Sequence, residues 1–410
     1  MHGLNAAKTI NIYMNEHFSE LMDILFEGGN TRAINRTTGE ALAYAEKIDF
    51  KTISRKDFVK DFIELLHILN KRYKDKYSSF IWEDFSVIET GFAFNGSASA
   101  LFDKNITDDE FVKYKPDVGD IDVTIPHDCL SKLFELLSLL ENEQITPHIK
   151  YLGQNKQSQS GHQINALFRY KDKTNCQIDF EGTEYQDSKP TDFTKFAHSS
   201  NWEDIKHSLK GVHHKYLLID LVRALSEKED IVIVTPASTI ESLKKKKLST
   251  LPRELAFSVD KGLRVKIELM KDAKGNPVEL EGKKVYKELP TENSIYEKNI
   301  ENIFEMIFKR QPTESELEEF GSFVGLVDLA KKYTDNQHIE KMFEILIDEH
   351  LWGKRAQGLE RGNPKLDEQI KDKMVSYLID VFPFLKRFQS KIENLKKDFY
   401  DNYQTLDVTD

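Results

Sequence analysis

The segment Pro116-Asp117-Val118-Gly119-Asp120-Ile121-Asp122-Val123-Thr124-Ile125-Pro126 limits what this chain can become more than any other stretch. β-Branched residues alternate with polar ones between two prolines, the pattern of a short strand. Side chains on a strand alternate faces, so Asp120, Asp122 and Thr124 fall on one side and Ile121, Val123 and Ile125 on the other. The apolar side has to be buried, which commits this part of the chain to a sheet. The two carboxylates stand about 7 Å apart along the strand, and they repel each other unless a cation lies between them. A pair of divalent metal ions suits that position.

Two further stretches fit the same purpose. In Cys176-Gln177-Ile178-Asp179-Phe180-Glu181-Gly182, Cys176, Ile178 and Phe180 make an apolar face and Gln177, Asp179 and Glu181 a polar one, so Asp179 can point at the same metals from a neighbouring strand. Earlier, in Gly91 to Phe102, an apolar strand-like run ends at Asn95-Gly96, and Ser97-Ala98-Ser99-Ala100 then opens a helical turn. Exposed backbone N–H groups with a serine hydroxyl and no bulky side chain in the way bind phosphate well, which nominates Gly96 and Ser97 for a triphosphate.

This order, Gly-Ser, then Asp-x-Asp, then a lone Asp on a later strand, resembles the DNA polymerase β-like nucleotidyltransferase superfamily, which includes poly(A) polymerases, CCA-adding enzymes and antibiotic nucleotidyltransferases. The resemblance covers roughly residues 86 to 225 and identifies no closer family. It departs from the pattern at one point. The interval from Ser97 to Asp120 is longer than usual, which makes residues 103 to 117 an insertion between the motifs.

The resemblance implies a mixed β-sheet core with packed helices and an NTP substrate. It further implies two Mg²⁺ ions, with Mn²⁺ as a substitute, held by Asp120, Asp122 and Asp179. Asp179 would bind the ion nearer the acceptor. In that superfamily a helix after the core often supplies a lysine to the triphosphate, and Lys210 and Lys215 are the candidates here; the alternative for both is an ordinary exposed helix position.

With 410 residues the chain has room for two or three domains. Charged residues are 31% of it, and no stretch approaches a membrane-spanning length or the apolar core of a signal peptide, so a cytoplasmic protein without membrane contact is expected. Its two cysteines, Cys129 and Cys176, read as buried thiols in a reducing compartment, and no zinc-ligand spacing is present. The net charge of −11 disfavours nonspecific binding to long nucleic acid and leaves a local basic patch open.

The class expected is α+β, with a nucleotidyltransferase-like core and a largely helical C-terminal domain. Residues 1–85 form an N-terminal helical region, with helices over 8–27 and 55–74. Between them a turn-rich loop, Gly28 to Glu40, carries Arg32 and Arg36 and either folds over a phosphate or stays solvated. The catalytic core runs over 86–235, with a helix over 128–140 and strands over 148–152, 162–170 and 175–184. The polar connection Gly153 to Gly161 is either a mobile hairpin tip or a contact for base or acceptor. A capping box at Ser200 and Glu203 starts a helix that bends at Gly211. The adjacent His213 and His214 cannot point the same way on a helix, which argues against a two-histidine metal site.

Residues 236–293 form a basic β-rich segment and 294–410 a helical domain. Lys244, Lys245, Lys246 and Lys247 open the basic segment, where basic residues outnumber acidic ones between Ala237 and Lys274. It is either a solvated charge run or a track for a phosphate backbone, the latter suggesting an RNA 3′ end as acceptor. The rival acceptors are a protein side chain and a small-molecule hydroxyl, and the rival class is an inactive nucleotide- or RNA-binding module on the same fold.

Overall fold

The structure is a computed structural model, and it describes residues 32–34, 41–96, 98–154, 163–198, 201–209, 211–225, 232–234, 255–258, 262–265, 267–288, 295–352 and 364–404. The helix expected over 8–27, most of the Gly28–Glu40 loop and nearly all of the Gly153–Gly161 connection lie outside the described residues. The chain divides into two compact units, Met1–Val212 and His213–Asp410.

In the first unit, Arg32–Ile34, inside the stretch expected to be a loop, pairs as a short strand with Ala41–Tyr44. Helix α1 (Arg55–Tyr77) follows. Phe58, Phe62, Leu65, Leu66, Leu69 and Tyr73 recur along one face of it and are all buried. The Ser54 hydroxyl accepts from the Asp57 amide at 3.3 Å and fixes its start. At the other end Ser78 takes φ +59° and its amide returns to the Lys74 carbonyl at 2.8 Å.

Helix α2 (Ala98–Phe102) and helix α3 (Asp108–Tyr114) come next, α3 lying inside the expected insertion. Arg55 ties both to α1. Its Nε donates to the Leu101 carbonyl at 2.9 Å, Nη1 to Ile106 at 2.6 Å, and Nη2 to Ala100 at 3.1 Å and Asp103 at 2.6 Å. Asp108 accepts from the same Nη1 at 3.2 Å. The buried guanidinium therefore satisfies carbonyls at the end of α2 that have no partner within the helix.

The central sheet begins with β1 (Asp120–Pro126), followed by helix α4 (Leu130–Leu139) and strands β2 (Gln144–Thr146), β3 (Ile149–Gln154), β4 (Gln163–Tyr170) and β5 (Thr174–Thr183). The five strands lie in the order β1-β5-β4-β3-β2. Consecutive strands from β2 to β5 pair antiparallel, whereas β1 pairs parallel with β5. The class is thus mixed α+β with a five-stranded mixed sheet. Ile121, Val123 and Ile125 of β1 and Ile178 and Phe180 of β5 join the α1 side chains in one core. Both cysteines are buried free thiols.

Past β5 a short helix α5 (Asp192–His198) and another, α6 (Trp202–Lys206), precede the second unit. Asn201 caps α6, its side chain accepting from the Glu203 amide at 2.9 Å; Ser200 lies outside the described residues. The break before the next helix comes earlier than Gly211, with Ser208 at φ +59°.

Helix α7 (Gly211–Leu225) opens the second unit. Small sheets follow: Leu255–Ser258, Gly262–Val265 and Ile295–Glu297 in one, and Val232–Val234, Lys283–Glu288, Ile267–Leu269 and Glu279–Leu280 in another. The described chain from Ile300 onward is helical. A capping box between Thr313 and Glu316 starts one of these helices. Among the described residues no helix is long and apolar enough to cross a membrane.

Candidate functional site

The parallel register of β1 and β5 sets Asp120 beside Gln177, Asp122 beside Asp179 and Thr124 beside Glu181. Both strands alternate with period two, so paired positions present their side chains to the same face. As a result Asp120, Asp122 and Asp179 bring carboxylate oxygens within 4.8 Å of one another. Among the described residues this is the one group of three or more acidic, histidine or cysteine side chains able to hold a metal ion.

Asp179 is buried, and Asp120 and Asp122 are half-buried. On β4, Asn165 stands opposite Asp179. The Asn165 amide donates to Asp179 Oδ1 at 2.8 Å, and Gln177 Nε2 donates to both carboxylate oxygens at 2.9 Å. Burial nevertheless pushes the Asp179 carboxyl up to about 7, and the charge of Asp120 adds to the rise while Asn165 and Gln177 counter it.

The Gly96 turn is attached directly to this site. Phe94 forms an antiparallel bridge to Val123, the Asn95 amide donates to the Asp122 carbonyl at 3.1 Å, and the Thr124 amide donates to the Ala93 carbonyl at 2.8 Å. Gly96 has φ +54°, and a Cβ built on it would lie 2.4 Å from Asp122 Oδ2. Glycine is needed here for its backbone conformation and for the close approach of the main chain to a carboxylate. Ser97 lies outside the described residues.

Of the lysines named from sequence, Lys215 alone falls among the described residues. Lys215 is buried on α7, in the second unit, instead of standing exposed on its helix. Lys210 and the Lys244, Lys245, Lys246 and Lys247 run lie outside the described residues. Among the described residues, Lys195 on α5, which sequence reasoning did not single out, reaches the Gly96 turn. Its Nζ donates to the Phe94 carbonyl at 2.8 Å and lies 5.2 Å from the centre of the Phe92 ring. Burial pushes its pKa down to about 8, with the Glu181 carboxylate pulling the other way. Glu181 Oε2 in turn accepts from Asn95 Nδ2 at 2.9 Å.

His213 and His214 diverge as their positions require. The His214 ring bonds through Nε2 to the Phe320 carbonyl at 2.9 Å, whereas the His213 ring packs edge-on against Phe323 at 6.3 Å.

Three convergent carboxylates offer an all-oxygen donor set that could hold a metal ion. Comparison of the chain with protein-family models, curated proteins and solved structures found no match in any of the three. The geometry of the site itself therefore carries the functional reading.

Proposed function

We propose that this chain is a divalent-metal-dependent nucleotidyltransferase on a DNA polymerase β-like core. It moves a nucleoside monophosphate from an NTP to an acceptor hydroxyl and releases pyrophosphate. The observation that carries the proposal is the meeting of Asp120, Asp122 and Asp179 within 4.8 Å, with the Gly96 main chain against Asp122. An acidic trio alone would suit many metal sites. A glycine turn built onto one of its carboxylates is the feature that suits a phosphate chain.

Asp120, Asp122 and Asp179 would hold the Mg²⁺ or Mn²⁺, which supplies charge neutralisation at the phosphates and activation of the hydroxyl. Gly96, with Ser97, is proposed to receive the triphosphate through its backbone, and the absence of a side chain lets that backbone approach the Asp122 carboxylate. Asn165 and Gln177 orient Asp179 through their three hydrogen bonds. In the reaction a bond forms between the acceptor oxygen and the α-phosphorus while the bond from that phosphorus to the β-phosphate bridging oxygen breaks. The hydroxyl proton passes to solvent. An RNA 3′ end is the proposed acceptor, supported by the basic excess between Ala237 and Lys274.

The test is release of pyrophosphate from each of the four NTPs in the presence of Mg²⁺ and bulk RNA. Wild-type protein releases pyrophosphate and extends labelled RNA, EDTA stops both, and RNA with a blocked 3′ end is not extended. The double variant Asp120→Asn, Asp122→Asn loses activity by at least about 10³-fold. Wild-type turnover in that variant, or no release from any NTP by the wild type, would refute the proposal.

A further inference from the structure

Lys195 makes contacts that an ordinary surface lysine does not. Its ammonium group donates to a main-chain carbonyl, that of Phe94, two residues before Gly96. The attractive charge acting on it is that of Glu181. Glu181 holds the Asn95 side chain, and the Asn95 amide reaches the Asp122 carbonyl. The segment Phe94–Gly96 is thus gripped from two sides, by Lys195 through a carbonyl and by Glu181 through an amide. The antiparallel bridge to Val123 supplies the third attachment.

The segment needs such a grip. Gly96 sits in a left-handed conformation with its main chain close to the Asp122 carboxylate, and helix α2 beyond it is only five residues long. A lysine that donates to the Phe94 carbonyl brings a positive charge to the turn, and its Nζ stands over the Phe92 ring at 5.2 Å from the centroid.

We infer that Lys195 is a positioning residue for the Gly96 turn, acting through the Phe94 carbonyl and the Glu181 carboxylate instead of by direct contact with the nucleotide. The functional consequence rests on the nucleotidyl-transfer proposal; the structural one does not.

The experiment measures amide hydrogen exchange at Asn95 and Thr124 in full-length protein without nucleotide or added metal, because these two amides bond the turn to β1. Removing a hydrogen bond from a charged donor in Lys195→Met is expected to speed exchange there about 10- to 100-fold. Amides of β3 and β4 should be unaffected. Lys195→Arg, which keeps the charge and the donors, restores most of the protection. In the pyrophosphate assay Lys195→Met lowers kcat, because the Gly96 turn is no longer held against Asp122, and Lys195→Arg recovers most of it.

Unchanged exchange in Lys195→Met overturns the inference, and unchanged exchange with a raised KM for NTP means that Lys195 touches the phosphates directly. Should Lys195→Met fail to fold, Lys195→Gln is measured in its place, and the same two outcomes decide. Faster exchange in a protein whose wild type releases no pyrophosphate would leave the brace standing and remove the proposed reaction.

Discussion

Replacing Gly96 with alanine separates the site from the fold, because the added methyl meets the end of a side chain and not the core. The Cβ would stand 2.4 Å from Asp122 Oδ2, so that oxygen must retreat by about 1 Å to reach ordinary contact. Asp122 can do so by turning about its own side-chain bonds. The remaining folding cost is that of holding alanine at φ +54°, about 1–2 kcal/mol. For a unit of this size that corresponds to a fall in Tm of about 2–8 °C. The functional cost is larger, since displacing a reacting group by about 1 Å lowers turnover about 100-fold.

Two assays follow the two costs: thermal melting with and without Mg²⁺, and Mg²⁺-dependent pyrophosphate release. The expected variant melts slightly lower, gains less from Mg²⁺ than wild type, and turns over about 100-fold more slowly. Gly119→Ala serves as the control. A Cβ at that position meets nothing within 4 Å, although it adjoins Asp120, and both readouts should match wild type. Full activity in Gly96→Ala would refute the placement of Asp122 in the site, and a loss of more than about 4 kcal/mol would show that the turn belongs to the core.

Two other positions test the frame around the site. Arg55→Lys leaves one point charge where five donors had bonded four carbonyls and Asp108; chemical denaturation should show a loss on the order of 3 kcal/mol, from carbonyls left buried without donors, and a loss below about 1 kcal/mol would remove Arg55 from that role. In the second unit, burial holds the His214 imidazole down at about 4, against an ordinary 6.5, with the Phe320 bond and Lys215 as smaller influences. Its neutral form favours folding, so the contribution is complete above pH 6.5 and is lost as the pH falls towards 4. It amounts to an upper bound on the order of 3 kcal/mol. Melting of wild type and His214→Leu between pH 7 and 4 should give a shallower slope in the variant, and parallel slopes would contradict the assignment.

How much of this was legible from residues alone depends on the range over which each interaction acts. Alternation has a period of two and needs only neighbours, so the faces of Asp120, Asp122 and Asp179 and the apolar faces opposite them could be read directly. The same is true of α1, whose core stripe repeats at helical spacing. The parallel register that sets Asp122 beside Asp179 joins distant segments, and nothing in either strand specifies it. Arg55 and Lys195 were illegible for another reason: their partners are main-chain carbonyls, which every residue carries, so no complementary residue type marks them.

Lys195 did leave a faint signal. In Asp192-Phe193-Thr194-Lys195-Phe196-Ala197 the residues beside Lys195 are apolar or small, and Phe193, Thr194, Phe196 and Ala197 are buried while Asp192, one turn earlier, is exposed. A lysine with apolar or small neighbours on both sides must either leave the helix surface along its stem or find an acceptor inside. Lys195 takes the second course, and its acceptor is the Phe94 carbonyl at 2.8 Å.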